Sequence, residues 1–396
     1  MPKDDVGYRH LALVDLTAVG FVEAHYQLGL LVGGQVRRLL AGKLAAMPSQ
    51  IVQAGLAAAS RCHEALIATS LSPSLRPEIT AAVRDYRHCL DAWARGADLD
   101  SFKHPALDML QPALEGSARA LLLALFLQDD NTGCQTGIYR AADGSVILWH
   151  TEEEVTDSRL DEVRLVVFTL PSARGNVTVW AFVYPDLLPG PAFAWRSDGF
   201  VLAVDSLYLR PDTNGAMLAN VATWVALRLG SAVDPEAIVA SLAPFRDGYG
   251  LTIVTQPAGP GVAASRVEFA GEMSLPAHLP AAPGAFLFQV NVFSDKDSAI
   301  ARRYERIDPA ERREYEMRIR RTARWVSQLI PDEHGPQKFL ALLRSRRGGD
   351  YAYSNADVRA YCVIRLSERM LEVYAGPEAA ARTEPVMIRV PIARPG

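Results

Sequence analysis

The sequence predicts an α+β protein whose helices and strands come in blocks. An Ala- and Leu-rich first third has few β-branched residues, and near Gly133 the texture changes abruptly to short β-branched and aromatic runs. Strands and helices do not alternate one by one, which argues against a doubly wound parallel sheet. Apolar residues at three- and four-residue spacing place helices at 29–47, 49–67, 77–95 and 116–128. Strands follow at 137–140, 146–150, 163–170, 176–184 and 200–209, with turn residues between them. A second helical block runs over 214–229 and then from Asp234-Pro235-Glu236, which reads as an N-cap, a proline at the first helical position and a first-turn acid, to about Leu242. Strands return at 251–255, 265–269 and 286–293. A long charged helix opened by Asp308-Pro309 comes next, then strands at 360–364, 370–375 and 386–390. The organisation is a mostly helical segment 1–133 followed by a segment 134–396, with no internal repeat.

The chain has 396 residues, 49% hydrophobic and 22% charged, with 28 glycines and 25 prolines spread along it, which excludes a disordered or collagen-like polymer. A formal net charge of -4 gives no basic footprint for nucleic acid, so small-molecule chemistry is the expectation. Cys62, Cys89, Cys134 and Cys362 show no C-x-x-C spacing, which suggests neither a disulfide framework nor a cysteine metal site. The start lacks a basic and apolar leader, and the most apolar run, 120–127, is less than half a membrane span. A soluble, cytoplasmic protein is expected. There is no G-x-S-x-G elbow, H-E-x-x-H pair or Walker loop, and Gly259-Pro260-Gly261 reads as a turn.

The stretch 131–154, NTGCQTGIYRAADGSVILWHTEEE, carries the most chemistry. If Ala142-Asp143-Gly144 form a three-residue loop with Gly144 left-handed, Ala141 faces Ser145 and Cys134 falls opposite Glu152. A two-residue Asp-Gly turn would oppose Cys134 to Glu153 instead. Either way an acid lies beside the thiol, about 5 Å away at Cβ. The plainer reading makes Cys134 a small core residue and the glutamates a solvated strand end.

Gly133-Cys134, the Asp143-Gly144 turn and an acid 18 positions after the cysteine resemble the core of the acyl-coenzyme A:6-aminopenicillanic acid acyltransferase family, cysteine N-terminal-nucleophile hydrolases. Residues 20–29, GFVEAHYQLG, are similar to the G-x-x-Y-E-x-G-x-Q-x-G stretch that opens that family. Further likenesses are the helix pair over 214–242, Asn291-Val292-Phe293 to the family's N-H-F, Arg303-Tyr304-Glu305-Arg306-Ile307 to its S-x-x-R-x-x-R-L, and a closing strand pair ending near Gly376.

The resemblance implies a four-layer αββα fold and self-cleavage at Gly133–Cys134. The new α-amine on Cys134, with a reference pKa of about 7.7 to 8.0, would serve as base for its own thiol. Cys134 would then take an acyl group from an amide, acyl-coenzyme A or carrier-protein thioester and pass it to an amine or to water. Glu152 would orient the amine, a task the family gives to Asp. Arg303 would neutralise an acidic group in the site, and Arg306 matches the motif's second arginine; the plainer reading of both is a solvated, charge-rich helix surface. The family's oxyanion donor, usually an Asn, is matched by Asp205. An ionised carboxylate cannot donate to an oxyanion, so Asp205 is held protonated, or a backbone N–H replaces it, or the chemistry is changed. Trp149-His150-Thr151-Glu152 stands for the family's Q-N-W-D, making His150 either an added acid or base or a packed polar residue. Arg344-Ser345-Arg346-Arg347-Gly348-Gly349 reads as a helix C-terminus favouring cations, or as a spot for coenzyme A phosphates or an acidic carrier protein. No metal or redox cofactor, nucleic acid or membrane is implied. A family member that binds a ligand or partner as an unprocessed chain is the alternative.

Overall fold

The computed structural model describes residues 11–108, 116–127, 132–154, 163–172, 175–190, 192–210, 215–255, 262–329, 338, 358–375 and 386–390. The expectations at 214, 259–261, 344–349 and 376 lie outside them.

A strand, β1 (Leu11–Leu16), precedes the helices α1 (Phe21–Ala46), α2 (Ser49–Leu71), α3 (Pro77–Gly96), α4 (Pro105–Asp108) and α5 (Gly116–Leu127). Pro77 opens α3, with Glu78 in its first turn and Arg95 in its last, the charge order the helix dipole favours. Helix α1 begins eight residues before the expected 29 because Phe21 and His25 pack their rings on Phe168 and Trp224. Tertiary burial there outweighs a locally aromatic sequence. Gly29 lets α1 lie against α3 backbone to backbone, since a Cβ in its place would meet the Trp93 carbonyl oxygen at 2.1 Å.

The strands are β2 (Thr132–Arg140), β3 (Val146–Glu154), β4 (Val163–Ser172), β5 (Gly175–Val183), β6 (Phe193–Arg196), β7 (Phe200–Ser206), β8 (Phe245–Thr255), β9 (Ala263–Gly271), β10 (Met273–His278), β11 (Phe286–Val290), β12 (Val358–Arg365), β13 (Met370–Ala375) and β14 (Val386–Arg389). Helices α6 (Ala219–Leu229) and α7 (Pro235–Leu242) fall between β7 and β8, and α8 (Ala299–Tyr304) and α9 (Pro309–Leu329) follow β11. The Asp234 carboxylate accepts from the Glu236 N–H at 2.9 Å, the expected cap of α7.

Eight strands form one sheet in the order β1-β4-β5-β6-β7-β8-β9-β10, antiparallel except where β1 runs parallel to β4. Six form a second, antiparallel sheet in the order β11-β2-β3-β12-β13-β14. The chain is thus a mixed α+β protein with N-terminal helices and two sheets. Among the described residues, alternate strand positions divide mainly among three large apolar cores, with a smaller fourth where Ala270 of β9 meets Phe293, Ile300 and Tyr304. Phe168, Val179, Leu202, Val204 and Leu251 of the large sheet pack with α1, α2, α3, α5, α6 and α7. Leu165, Trp180, Phe182, Val201 and Ala203, from its other face, pack with Ile138, Leu148, Cys362 and Ile364 of the second sheet. Tyr139, Trp149, Phe288 and Val363, on the far side of the second sheet, pack with Val326 of α9.

Five of these elements carried no sequence signal, among them the four-residue helix α4. Strand β1 sits at the head of a helical block, β6 and α8 are only four and six residues long, and β10 contains Pro276, tolerated because β10 is an edge strand. Among the described residues no helix is long and apolar enough to cross a membrane.

Candidate functional site

The β2–β3 hairpin closes through the three-residue loop. Gly144 has φ 82°, the Ala141 N–H donates to the Ser145 carbonyl at 2.8 Å, and the register pairs Cys134 with Glu152, Thr136 with His150 and Ile138 with Leu148. Period-two alternation turns these residues toward the large sheet, where Ile138 and Leu148 join the inter-sheet core. At the Cys134 end of that interface the lining becomes polar. Asp205 on β7 faces it, as Val201 and Ala203 do, and Tyr184 reaches it from just beyond β5.

The Cys134 thiol donates to Glu152 Oε2 at 3.5 Å, and the Tyr184 hydroxyl donates to the same oxygen. Glu152 Oε1 lies 2.7 Å from His150 Nε2. His150 Nδ1 lies 2.7 Å from Thr136 Oγ1, which donates to Asp205 Oδ2 at 2.5 Å. Glu152, His150 and Asp205 have no solvent exposure, and Cys134 retains 5%. Burial, reinforced by Glu152, Asp205 and Glu153, pushes the Cys134 thiol well above its ordinary range, so it rests protonated. Burial works against a charged His150, but Glu152, through charge and hydrogen bond, and Asp205 outweigh it and raise its pKa. Burial also pushes Asp205 up to about 7, against the lowering effect of His150 and Thr136.

Cys134 Sγ, a His150 nitrogen and a Glu152 oxygen lie within 4.8 Å of one another, which is also the spacing of a metal-binding triad. Here His150 Nε2 and both Glu152 oxygens are engaged in hydrogen bonds within the group, and we read it as a hydrogen-bonded chain.

A further residue meets Cys134 through the sheet. The β11–β2 register, continued one residue past Val290–Gln135, sets Asn291 beside Cys134, and Asn291 Oδ1 accepts the Cys134 backbone N–H at 2.9 Å. The Asn291 amide nitrogen is held by the Ser206 carbonyl at 2.8 Å. The loop after Asn291 is pinned: the Phe293 N–H donates to Glu305, the Phe293 carbonyl accepts from Arg312, and Ser294 donates twice to Glu268. Sequence reasoning marked Asn291 only as part of a motif. The alternation that places Thr136 two residues from Cys134 on one face was the signal available for that hydroxyl.

Arg303 is not brought into this group. Its side chain is 59% exposed, pairs with Glu272 at 2.6 Å and lies over the Tyr304 ring. Arg306 is exposed as well, and Glu305 of that run accepts the Phe293 N–H of the Asn291 loop. Gly133 precedes the thiol within β2, beside Glu153 and the Asn291 oxygen. No family model matches the chain, and no curated protein matches it.

Proposed function

We propose that the protein is a cysteine N-terminal-nucleophile hydrolase or acyltransferase, self-cleaved at Gly133–Cys134, that forms an acyl-cysteine from an amide or thioester and passes the acyl group to an amine or water. The observation that carries this reading is the environment of the Cys134 backbone nitrogen. It sits two bonds from the thiol-bearing carbon, donates to Asn291 Oδ1 at 2.9 Å and belongs to the residue whose thiol bonds Glu152. An amine freed at that position inherits a fixed acceptor in Asn291 and a carboxylate nearby in Glu152, which is what a base acting on its own side chain needs. The three larger apolar cores in series, helices against the large sheet, sheet against sheet, and second sheet against α9, support a four-layer αββα arrangement.

Substrates on this reading are small acyl donors and amine acceptors, with no cofactor in the chemistry. The position of Arg303 on an exposed surface does not support its role in neutralising a substrate. Intact mass of the purified protein beside its Cys134→Ala variant tests the proposal. Fragments of 133 and 263 residues (396 − 133 = 263) in the wild type alone are expected. One uncut chain in both sinks self-cleavage and favours a second reading, a ligand- or partner-binding protein, which the near-complete burial of Cys134 supports.

A further inference from the structure

A self-cleaving chain has a problem that its mature form does not: before the Gly133–Cys134 bond breaks, there is no α-amine to take the thiol proton. Burial makes direct loss of that proton to solvent costly, because it would leave one more unpaired charge inside the protein. Yet Thr136, His150 and Asp205, which an α-amine base would not need, stand in continuous hydrogen-bond contact with the acceptor of the thiol.

Counting hydrogens fixes what this chain does. When Asp205 is ionised, Thr136 gives its single hydroxyl hydrogen to that carboxylate, so its contact with His150 Nδ1 must be made by an Nδ1–H. The 2.7 Å contact between His150 Nε2 and Glu152 Oε1 then holds one proton, as imidazolium and carboxylate or as imidazole and carboxylic acid. A thiol proton arriving at Glu152 Oε2 gives the same product from either state: thiolate, neutral Glu152, imidazolium His150, and Asp205 carboxylate facing that cation through Thr136. The summed charge of the group does not change. A buried site that cannot export a proton can still move one internally.

We propose that Glu152, His150, Thr136 and Asp205 form a buried proton relay that receives the Cys134 thiol proton in the uncut chain and so enables the first acyl shift at Gly133–Cys134. In that step the thiolate attacks the Gly133 carbonyl carbon and a C–S bond forms. The C–N bond to Cys134 breaks, and the proton held on Glu152 goes to the departing nitrogen. Water then hydrolyses the thioester, releasing the Gly133 carboxylate and restoring the thiol. The cleavage product rests on the reading above, whereas the proton path stands on geometry alone. The other ionisable groups around the chain are Tyr184 beyond β5, Arg266 on β9, Cys362 on β12 and Tyr208 after β7, while Glu153, on the opposite face of the hairpin, acts on Cys134 through the sheet by its charge.

The test compares Thr136→Val, which keeps shape but removes the hydroxyl, with Thr136→Ser, which keeps the hydroxyl. Two readouts are taken on full-length protein: the extent of cleavage by intact mass, and the rate at which methyl methanethiosulfonate labels Cys134 in uncut chains between pH 5 and 9. Thr136→Val is expected to cleave and label about 100-fold more slowly at pH 7.5, and Thr136→Ser to behave as the wild type. The wild-type labelling rate should rise through pH 7 as Asp205 ionises, and this limb should vanish in Asp205→Asn, the variant to rely on if the valine variant misfolds. Wild-type rates in Thr136→Val, or an unchanged limb in Asp205→Asn, would overturn the relay. Hydroxyl-dependent labelling in a wild-type chain that never cleaves would keep the relay and remove self-processing.

Discussion

Strands β2 and β3 bury one glutamate on each face, and the two are held in different ways. Glu153, turned toward α9, accepts from Gln135 Nε2 at 2.5 Å and Thr151 Oγ1 at 3.3 Å and lies 3.5 Å from Arg318. Glu152, turned toward the large sheet, is bonded by Cys134, Tyr184 and His150. One acid faces a guanidinium that never gives up its proton. The other faces a thiol, a phenol and an imidazole, each able to exchange one. Adjacent acids on one strand thus have opposite uses, a fixed ion pair and a proton acceptor, and the pleat alone decides which is which.

The change that should break this contrast most severely is Glu152→Gln. It keeps the shape and a hydrogen-bonding head but removes the proton acceptor, so cleavage and any subsequent turnover should fall by about 100-fold or more. Intact mass and acyl-transfer assays read this, and wild-type rates in the variant would return Glu152 to a structural role. On the other face Arg318→Met should act on stability. Removing one partner of a buried pair leaves Glu153 without its countercharge and should cost about 3 kcal/mol by urea unfolding. The folded fraction should keep its cleavage chemistry.

Asp205 sharpens the comparison through pH. Its folded pKa of about 7 lies above the ordinary carboxylate value of 3.8, so the folded state holds the proton more tightly than the unfolded chain. Its contribution to stability is fully present below about pH 4 and is lost progressively as pH rises through 7. Asp205→Asn should therefore gain stability over the wild type at pH 8 and show little gain at pH 4. Urea midpoints across that range check the sign, and equal gains at both ends would mean that Asp205 titrates normally.

In the sequence the acid beside Cys134 was legible, but not whether it was Glu152 or Glu153; the three-residue loop, closed by the Ala141 N–H on the Ser145 carbonyl, decides for Glu152. Strand alternation set Thr136 and His150 on that face. Asp205 was marked in the sequence only through a family likeness and Asn291 only as part of a motif; their contacts with Thr136 and Cys134 were not legible. Asp205 comes from the other sheet, 69 positions from Thr136, and Asn291 lies 157 positions from Cys134, brought there by the β11–β2 register. No periodicity links residues across two packed sheets, so only assembly reveals the meeting. Helix α1 and the proline-bearing edge strand β10 show the same limit from the packing side: burial against Phe168 and Trp224, and an edge position, overrode local signals.

Arg303 marks where motif likeness and geometry part. The charge-rich run 302–324 offers many arginines at helical spacing, and position alone singled out Arg303. In the fold the Arg303 guanidinium lies in solvent against Glu272, whereas Arg312 donates to the Phe293 carbonyl, two residues from Asn291, at 2.8 Å. An exposed ion pair of this kind contributes little, because water screens both charges and two long side chains must be ordered to hold it. Arg303→Ala should therefore change stability by less than about 0.5 kcal/mol and leave cleavage at Gly133–Cys134 at the wild-type rate. Arg312→Ala should loosen the Asn291 loop and slow cleavage. A loss of cleavage in Arg303→Ala with an unchanged urea midpoint would reverse that ranking and move the arginine's partner to the substrate.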